Sequence, residues 1–338
     1  MNTLSAPKIL VTGGLGFIGS NFIRQVHEKS KFSSIVNLDA VSYGAVRRNL
    51  DDIEGDPSYE FVEGSTTDRR LVEKLLADVD IVVHFAAETH VDRSIANPES
   101  FLHSNVVGTF TLLEAARRSG VKKFVHISTD EVYGSASGTS FRESDRLQTS
   151  SPYSASKAAA DMFVEACNKT YGMFTVILRC TNNFGPHQLV EKFIPKTIVC
   201  ALLGKRISIY GSGMQVRDWI YVRDFCEAVD LAIEKGESGS IYNVSAGNEL
   251  PNLELAKLIL ELLQRPIDLI QFVKDRPGHD FRYSLDSSRI RSELGWKPRH
   301  DFRESLRDTV RWYVDNETWW RPLINERILS PTPWEHKW

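Results

Sequence analysis

Ser128-Thr129-Asp130-Glu131-Val132-Tyr133-Gly134 sets a hydroxyl beside two carboxyls, and Tyr153 and Lys157 follow in Tyr153-Ser154-Ala155-Ser156-Lys157. These types suggest an acid, a base and an activated phenol at the end of one strand. Two carboxyls in one cleft can hold their protons differently, because a like charge and burial each raise a carboxyl pKa. Tyr153 and Lys157 stand four apart, so a helix through them, expected over Ala155 to Cys167, sets both on one face. An ammonium beside a phenol favours phenolate and lowers its pKa from the ordinary value of about 10. A poised phenolate can take a hydroxyl proton while hydride leaves the same carbon for a nicotinamide. A site with all three functions can oxidise a carbon, abstract a proton and expel water. That chemistry points past a simple dehydrogenase to a dehydratase that takes a hydride and gives it back.

These groups need a scaffold that brings a nucleotide to them. Lys8 to Thr12 reads as a short buried strand running into Gly13-Gly14-Leu15-Gly16-Phe17-Ile18-Gly19, with a helix from Ser20 to Glu28. The glycines allow a tight turn and close backbone approach to a pyrophosphate, and the helix start offers free N–H groups. A second strand, Ser34 to Leu38, ends at Asp39, twenty residues after Gly19. That is the reach for a carboxylate that binds an adenosine ribose, and its charge would repel a 2′-phosphate, so NAD is expected over NADP. The alternation continues: strand Tyr59 to Val62, helix Asp68 to Leu76, strand Asp80 to Phe85, a long helix within Asn97 to Arg118, and strand Lys123 to Ser128. It predicts a parallel, doubly wound α/β sheet, with Gly13, Asp39, Ala86 and Thr129 at the carboxyl ends of strands around one crevice.

Beyond Asn183 the pattern loosens. A loop spans Pro186 to Pro195 and helices Phe193 to Leu203 and Val222 to Lys235 are expected, with short strands at Ser208 to Tyr210, Trp219 to Tyr221 and Ile241 to Val244. Amphipathic helices at Leu253 to Leu263 and Phe302 to Val314 should build a smaller domain. The chain has 338 residues with 42% hydrophobic and 25% charged, enough for one large domain and a smaller one. A net charge of −3 gives no footprint for nucleic acid. No uncharged run approaches the roughly 18 residues that span a membrane, and Met1 to Lys8 has no apolar signal core. Cys167, Cys180, Cys200 and Cys226 lack metal-ligand spacing, so no metal is expected and reduced thiols in a cytoplasmic protein are the simplest reading.

From Ile9 to Trp312 the chain resembles the extended short-chain dehydrogenase/reductases, and within them the dTDP-glucose 4,6-dehydratase family. Besides the glycine turn, Ser128 to Gly134 and Tyr153 to Lys157, the likeness runs through Phe85-Ala86-Ala87-Glu88-Thr89-His90-Val91-Asp92-Arg93-Ser94, Asn182-Asn183-Phe184-Gly185-Pro186 and Glu191-Lys192-Phe193-Ile194-Pro195. It continues in Arg217-Asp218-Trp219 and Asp275-Arg276-Pro277-Gly278-His279-Asp280. Asp130-Glu131 is its most specific element, since related epimerases and decarboxylases usually lack an acid at Asp130.

The resemblance implies a Rossmann-type NAD-binding domain, residues 1–184 and 217–243, and a nucleotide-sugar domain, residues 185–216 and 244–338. It implies that Tyr153, helped by Lys157, takes the O4 proton beside Thr129, that Glu131 removes the C5 proton, and that Asp130 protonates the departing C6 hydroxyl. Gly13, Gly16, Phe17, Ile18, Gly19, Asp39, Ser65, Thr66, Ala86, Ala87, Ser104, Tyr153, Lys157 and Asn183 would hold NAD. Glu88, Thr89, Thr129, Asn182, Lys192, Phe193, Tyr210, Arg217, Asn252, Arg276 and His279 would hold the nucleotide sugar, with Arg217 on the diphosphate. An ion pair of Arg217 with Asp218 or Asp224 is the alternative for that residue. The chain departs from the family at Gly64-Ser65-Thr66, where an aspartate usually meets adenine, at Ser208, where proline is usual, and at Thr89, where serine is usual. UDP-glucose as substrate, a UDP-sugar 4-epimerase, a UDP-glucuronate decarboxylase and a non-catalytic NAD-binding protein are the other readings. The family dimerises through the helices bearing Lys157 and following Pro98. Ala159, Met162, Phe163 and Ala166 fit that homodimer face or burial in one chain equally. The tail from Trp319 to Trp338 carries four tryptophans, expected to dock on the smaller domain.

Overall fold

The computed structural model describes residues 6–336; Met1 to Ser5 of the amino-terminal stretch and Trp338 of the tail lie outside them. Among the described residues twelve strands are present: β1 Lys8–Thr12, β2 Ser34–Asp39, β3 Tyr59–Glu63, β4 Ile81–His84, β5 Lys123–Thr129, β6 Thr175–Cys180, β7 Asn182–Phe184, β8 Ile207–Tyr210, β9 Val216–Tyr221, β10 Ser240–Val244, β11 Glu249–Pro251 and β12 Ile270–Val273. Seven form one sheet in the order β10-β6-β5-β4-β1-β2-β3, every pair parallel. The order reverses at β1, which lies between β2 and β4, so a crevice opens beyond the carboxyl ends there. Side chains of β1 alternate across the sheet: Ile9 and Val11 pack in one hydrophobic layer, Leu10 in the other. Both faces are covered, as a parallel sheet requires.

The sequence reading lacks β6. Arg179 interrupts its apolar run, yet the side chain is 2% exposed and its Nε donates to Asp161 Oδ2 at 2.9 Å. The charge is tolerated because it is paired in place. The helix expected within Asn97 to Arg118 is also modified. Pro98–Phe101 and Gly108–Ser119 are joined by a wider π-helical turn, Leu102–Val107. The helix after the glycine turn starts three residues early, at Phe17.

After β6 the chain leaves the sheet. β7 and β11 flank β9, and β8 pairs with β12, while β10 returns to the edge of the large sheet. Helices Phe193–Leu202, Asn252–Leu262 and Phe302–Asp315 cover these strands. Ile259, Leu306 and Trp320 share one hydrophobic cluster with Ile9 and Val11, so the two parts bury a common core. The tail reaches further than the smaller part alone. Trp319 Nε1 donates to Asn49 Oδ1 at 3.0 Å, and Arg48 donates to the Thr318 and Trp319 carbonyls, both from the nucleotide-binding half. No helix among the described residues is long and apolar enough to cross a membrane.

Candidate active site

The Gly13–Gly19 turn closes onto β4 so tightly that a Cβ on Gly13 would stand 2.6 Å from the Ala86 nitrogen, and Gly13 has φ +71°. Only glycine fits such a backbone. Gly16 opens the Phe17–Glu28 helix without a side-chain cap, leaving its first N–H groups free for an anion. Asp39, at the end of β2, is fixed by two backbone donors, Leu15 N–H to Oδ2 at 3.0 Å and Val41 N–H to Oδ1 at 2.9 Å. Burial still raises its carboxyl above the ordinary range.

Every residue expected at the cofactor lines this one crevice: Gly13, Gly16, Phe17, Ile18, Gly19, Asp39, Ser65, Thr66, Ala86, Ala87, Ser104, Tyr153, Lys157 and Asn183. Thr129, Asp130, Glu131, Glu88, Thr89, Asn182 and Lys192 share its wall. Buried Ser128 Oγ, Asp130 Oδ2, Asn182 Oδ1 and Asn183 Oδ1 have no protein partner. Orphaned polar atoms around a crevice are what a polar ligand would satisfy, and with the glycine turn they fit a dinucleotide.

Tyr153 and Lys157 are placed by the cap of the Pro152–Tyr171 helix. Ser151 and Ser154 exchange side-chain and backbone hydrogen bonds, and Pro152 takes the first position, where no N–H is needed. Thr129 ends β5, its hydroxyl donating to Asp130 Oδ1 at 3.1 Å and accepting from Glu131 N–H at 3.3 Å. Burial, then the Glu131 charge, pushes Asp130 well above the carboxylate range. Burial raises Glu131 as well, opposed by the cations Arg276, Arg217 and Lys192. Both carboxyls thus lie above their ordinary range, Asp130 well above it and Glu131 with Arg276, Arg217 and Lys192 opposing the rise.

One expectation from spacing is corrected. Lys157 Nζ donates to the Ile127 carbonyl at 2.6 Å and lies 3.4 Å from His126 Nε2, and burial lowers its pKa to about 8. The Tyr153 phenol is raised rather than lowered, by burial and then by the Glu131 charge. Burial is the larger of these causes, and the Glu131 charge adds to it.

The remaining expected sugar-nucleotide residues lie off the crevice wall. Phe193 rests against Trp219, ring centroids 6.3 Å apart, and Asn252 begins its helix with its N–H on the Gln215 carbonyl at 3.0 Å. Tyr210 donates to Asp92 Oδ2 at 2.9 Å, and Arg276 donates to Asp92 Oδ1 at 3.1 Å. His279 Nδ1 lies 2.6 Å from Asp275 Oδ1. Arg217 pairs with neither Asp218 nor Asp224. It donates to the Val216, Asp280 and Phe281 carbonyls and stacks 4.1 Å from the Tyr283 ring. The charges of Arg276 and Arg217 both act on Glu131, at the end of β5.

Sequence reasoning missed Asn105. It sits in the π-helical turn, and its amide bonds both the N–H and the C=O of Glu88 and the Ser156 hydroxyl. It thereby ties the β4 loop to the helix of Tyr153. A buried asparagine inside an apolar helix was the available signal. Tyr43 and Glu191 were missed too. Tyr43 hydroxyl donates to Glu191 Oε2 at 2.7 Å across the crevice mouth.

The family model described as GDP-mannose 4,6 dehydratase matches residues 10–309. The chain is 48% identical over 320 residues to the dTDP-glucose 4,6-dehydratase of Mycobacterium tuberculosis, spanning 94% of this chain and 96% of that protein. A solved dTDP-glucose 4,6-dehydratase from Streptomyces venezuelae, with NAD bound, matches with TM-score 0.93 and 44% identity over 94% of this chain and 100% of that one. A UDP-glucose 4-epimerase from Thermotoga maritima shares the architecture, TM-score 0.85, at 29% identity over 92% of this chain and 99% of that one. The chain belongs to the family that the GDP-mannose 4,6 dehydratase model describes, among its dTDP-glucose 4,6-dehydratases.

Proposed function

We propose that the protein converts dTDP-glucose to dTDP-4-keto-6-deoxyglucose and water with NAD as a retained cofactor. The observation that carries this reading is the pair at the end of β5: Asp130, buried and pushed well above the carboxylate range, beside Glu131, on which three cations act. Tyr153 takes the O4 proton, with the Thr129 hydroxyl at the same strand end. The resulting 4-ketone acidifies C5–H, and Glu131 removes that proton. Asp130 gives its proton to the C6 hydroxyl, which leaves as water. NAD⁺ held in the crevice would supply the redox chemistry, taking the C4 hydride and returning it to C6, and C5 regains a proton to complete the product. The reaction is redox-neutral, so a dinucleotide held by Gly13, Gly19 and Asp39 need not exchange.

The cations Lys192, Arg217 and Arg276 suit a diphosphate, whose oxygens would meet guanidinium donors. The division into residues 1–184 with 217–243, and 185–216 with 244–338, agrees with the return of β10 to the large sheet, while β7, β9 and β11 form a sheet that both parts share. Four free, buried cysteines fit a reducing compartment such as the cytoplasm. A deoxysugar pathway such as that to rhamnose would consume the product. Exposed Met162, Phe163 and Ala166, beside exposed Leu102, Val107 and Phe110, favour the homodimer over burial of that face within one chain.

The test is incubation with dTDP-glucose and, separately, UDP-glucose without added NAD, followed by mass spectrometry. Loss of one water from dTDP-glucose is expected, with Asp130→Ala slowed at least about 100-fold, the scale of a lost general acid. No mass change with either sugar, or an Asp130→Ala variant that keeps full activity, would sink the reading and favour the epimerase chemistry of the same fold.

A further inference from the structure

The residues after Trp320 take no part in the chemistry above, yet they converge on the substrate lobe. Ile328 is buried in the main core, and Trp334 is buried with its ring edge-on to Tyr210, centroids 4.9 Å apart and planes at 85°. The short turn Pro333–Glu335 packs on the Val91–Ala96 helix. The Ser330 carbonyl accepts from Lys196 Nζ at 2.7 Å, on the Phe193–Leu202 helix. Glu335 pairs with Lys274 at 3.5 Å, just beyond β12. One segment therefore ties together a helix from the nucleotide-binding half, a helix of the smaller part, and the β8–β12 pair.

Tyr210 is where this tie meets the site. Its hydroxyl donates to one oxygen of Asp92, and the other oxygen accepts from Arg276 Nη1. Asp92 is 3% exposed, so its two bonds set both partners without competition from water. Arg276 Nε is buried without a protein partner, and its guanidinium is a cation that acts on Glu131. Trp334 thus fixes a Tyr210–Asp92–Arg276 chain that ends in a charged donor with bonding capacity to spare.

We propose that Trp334 is a positioning residue for the diphosphate of the nucleotide sugar, acting through Tyr210 and Asp92 on Arg276. The proposal rests on the dehydratase reading and deepens it. A ring that holds a binding side chain in place, and touches no reacting atom, affects substrate capture more than the chemical step. The NAD crevice does not include Trp334, so cofactor retention is independent of it.

The experiment measures steady-state turnover of dTDP-glucose, NAD released on denaturation, and thermal melting for the wild type, Trp334→Ala, Trp334→Phe and Tyr210→Phe. In Trp334→Ala, KM is expected to rise about tenfold with kcat within about twofold and NAD content unchanged. Trp334→Phe keeps a ring on Tyr210 and should recover most of the KM. Tyr210→Phe keeps the ring but loses the Asp92 bond, and should raise KM as Trp334→Ala does; it decides the question if Trp334→Ala fails to fold. Unchanged KM in the soluble variants, or a loss of kcat and NAD together with a lower melting temperature, would overturn the positioning role. A wild type that removes no water overturns the dehydratase reading itself and this inference with it, an outcome distinct from an active wild type with indifferent variants.

Discussion

At the scale of single residues, proton affinities decide when the site works. In the proposed mechanism Asp130 carries a proton, which burial and the Glu131 charge favour by raising its pKa; as pH rises that proton is lost. Lys157 is a base whose pKa is lowered to about 8, so its ammonium is present below that value and disappears above it. Both losses fall on the alkaline side. The pH profile of kcat/KM, which reports the free enzyme, should therefore decline as pH rises through about 8. The Asp161 charge helps keep Lys157 protonated, against burial. Asp161→Asn should accordingly move the alkaline limb to lower pH. A profile that stays flat to about pH 10, where an unperturbed lysine titrates, would show that Lys157 is not needed as a cation. The types and spacing of Thr129, Asp130, Glu131, Tyr153 and Lys157 marked them as one set, and all five line one crevice. Spacing alone did not reveal that Lys157 would turn to the Ile127 carbonyl, because a shared helix face fixes direction but not partner.

At the scale of elements, the glycine turn shows how closely local sequence and cofactor geometry are joined. A Cβ on Gly19 would collide with the Gly13 carbonyl and stand 2.9 Å from Gly14 Cα, both backbone atoms that cannot turn aside. Gly19→Ala should open the turn and lower stability by about 1–3 kcal/mol, the cost of overpacking. It should also empty the protein of copurified NAD. Absorbance of the cofactor released on denaturation measures this, and full NAD content in the variant would contradict the role given to the turn. The strands β1 to β5 and the first helices were legible because their largely apolar runs are short and punctuated by Gly13, Asp39, Asp68 and Pro98. The strand β6 was not, since a buried Arg179 mimics a surface position until Asp161 is seen beside it. The π-helical turn at Leu102–Val107 leaves no periodic mark over so few residues, and the contact of Asn105 with Glu88 joins positions seventeen apart. The six substrate residues beyond the crevice wall came from family likeness rather than pattern. Several of them are held by partners distant in the chain, as Arg276 is by Asp92.

At the scale of the whole molecule, the Pro152–Tyr171 helix has two sides with different tasks. One buries Tyr153 and Lys157 against the sheet; the other exposes Met162 by 58% and Phe163 by 40%. Phe163 lies 5.5 Å, ring to ring, from Phe110 on the neighbouring Gly108–Ser119 helix, which is itself 38% exposed. Leu102, 57% exposed, extends the patch along the same helical run. A contiguous apolar surface across two helices is costly to leave in water and marks an interaction face. A second copy of the chain, related by a twofold axis, would bury it with the same residues from both sides. Such a dimer would clamp the helix that holds the phenol and ammonium, linking assembly to the rigidity of the site. Phe163→Glu introduces a charge on each side of that face, and a buried unpaired charge costs about 3–5 kcal/mol. Sedimentation should show the wild type at twice the chain mass and Phe163→Glu at the mass of one chain. Because Phe163 is remote from the glycine turn in sequence and absent from the crevice wall, the monomer should keep its NAD. A wild type that sediments as a single chain at micromolar concentration would refute the interface, whereas a monomeric variant that loses NAD would mean that assembly also supports the crevice.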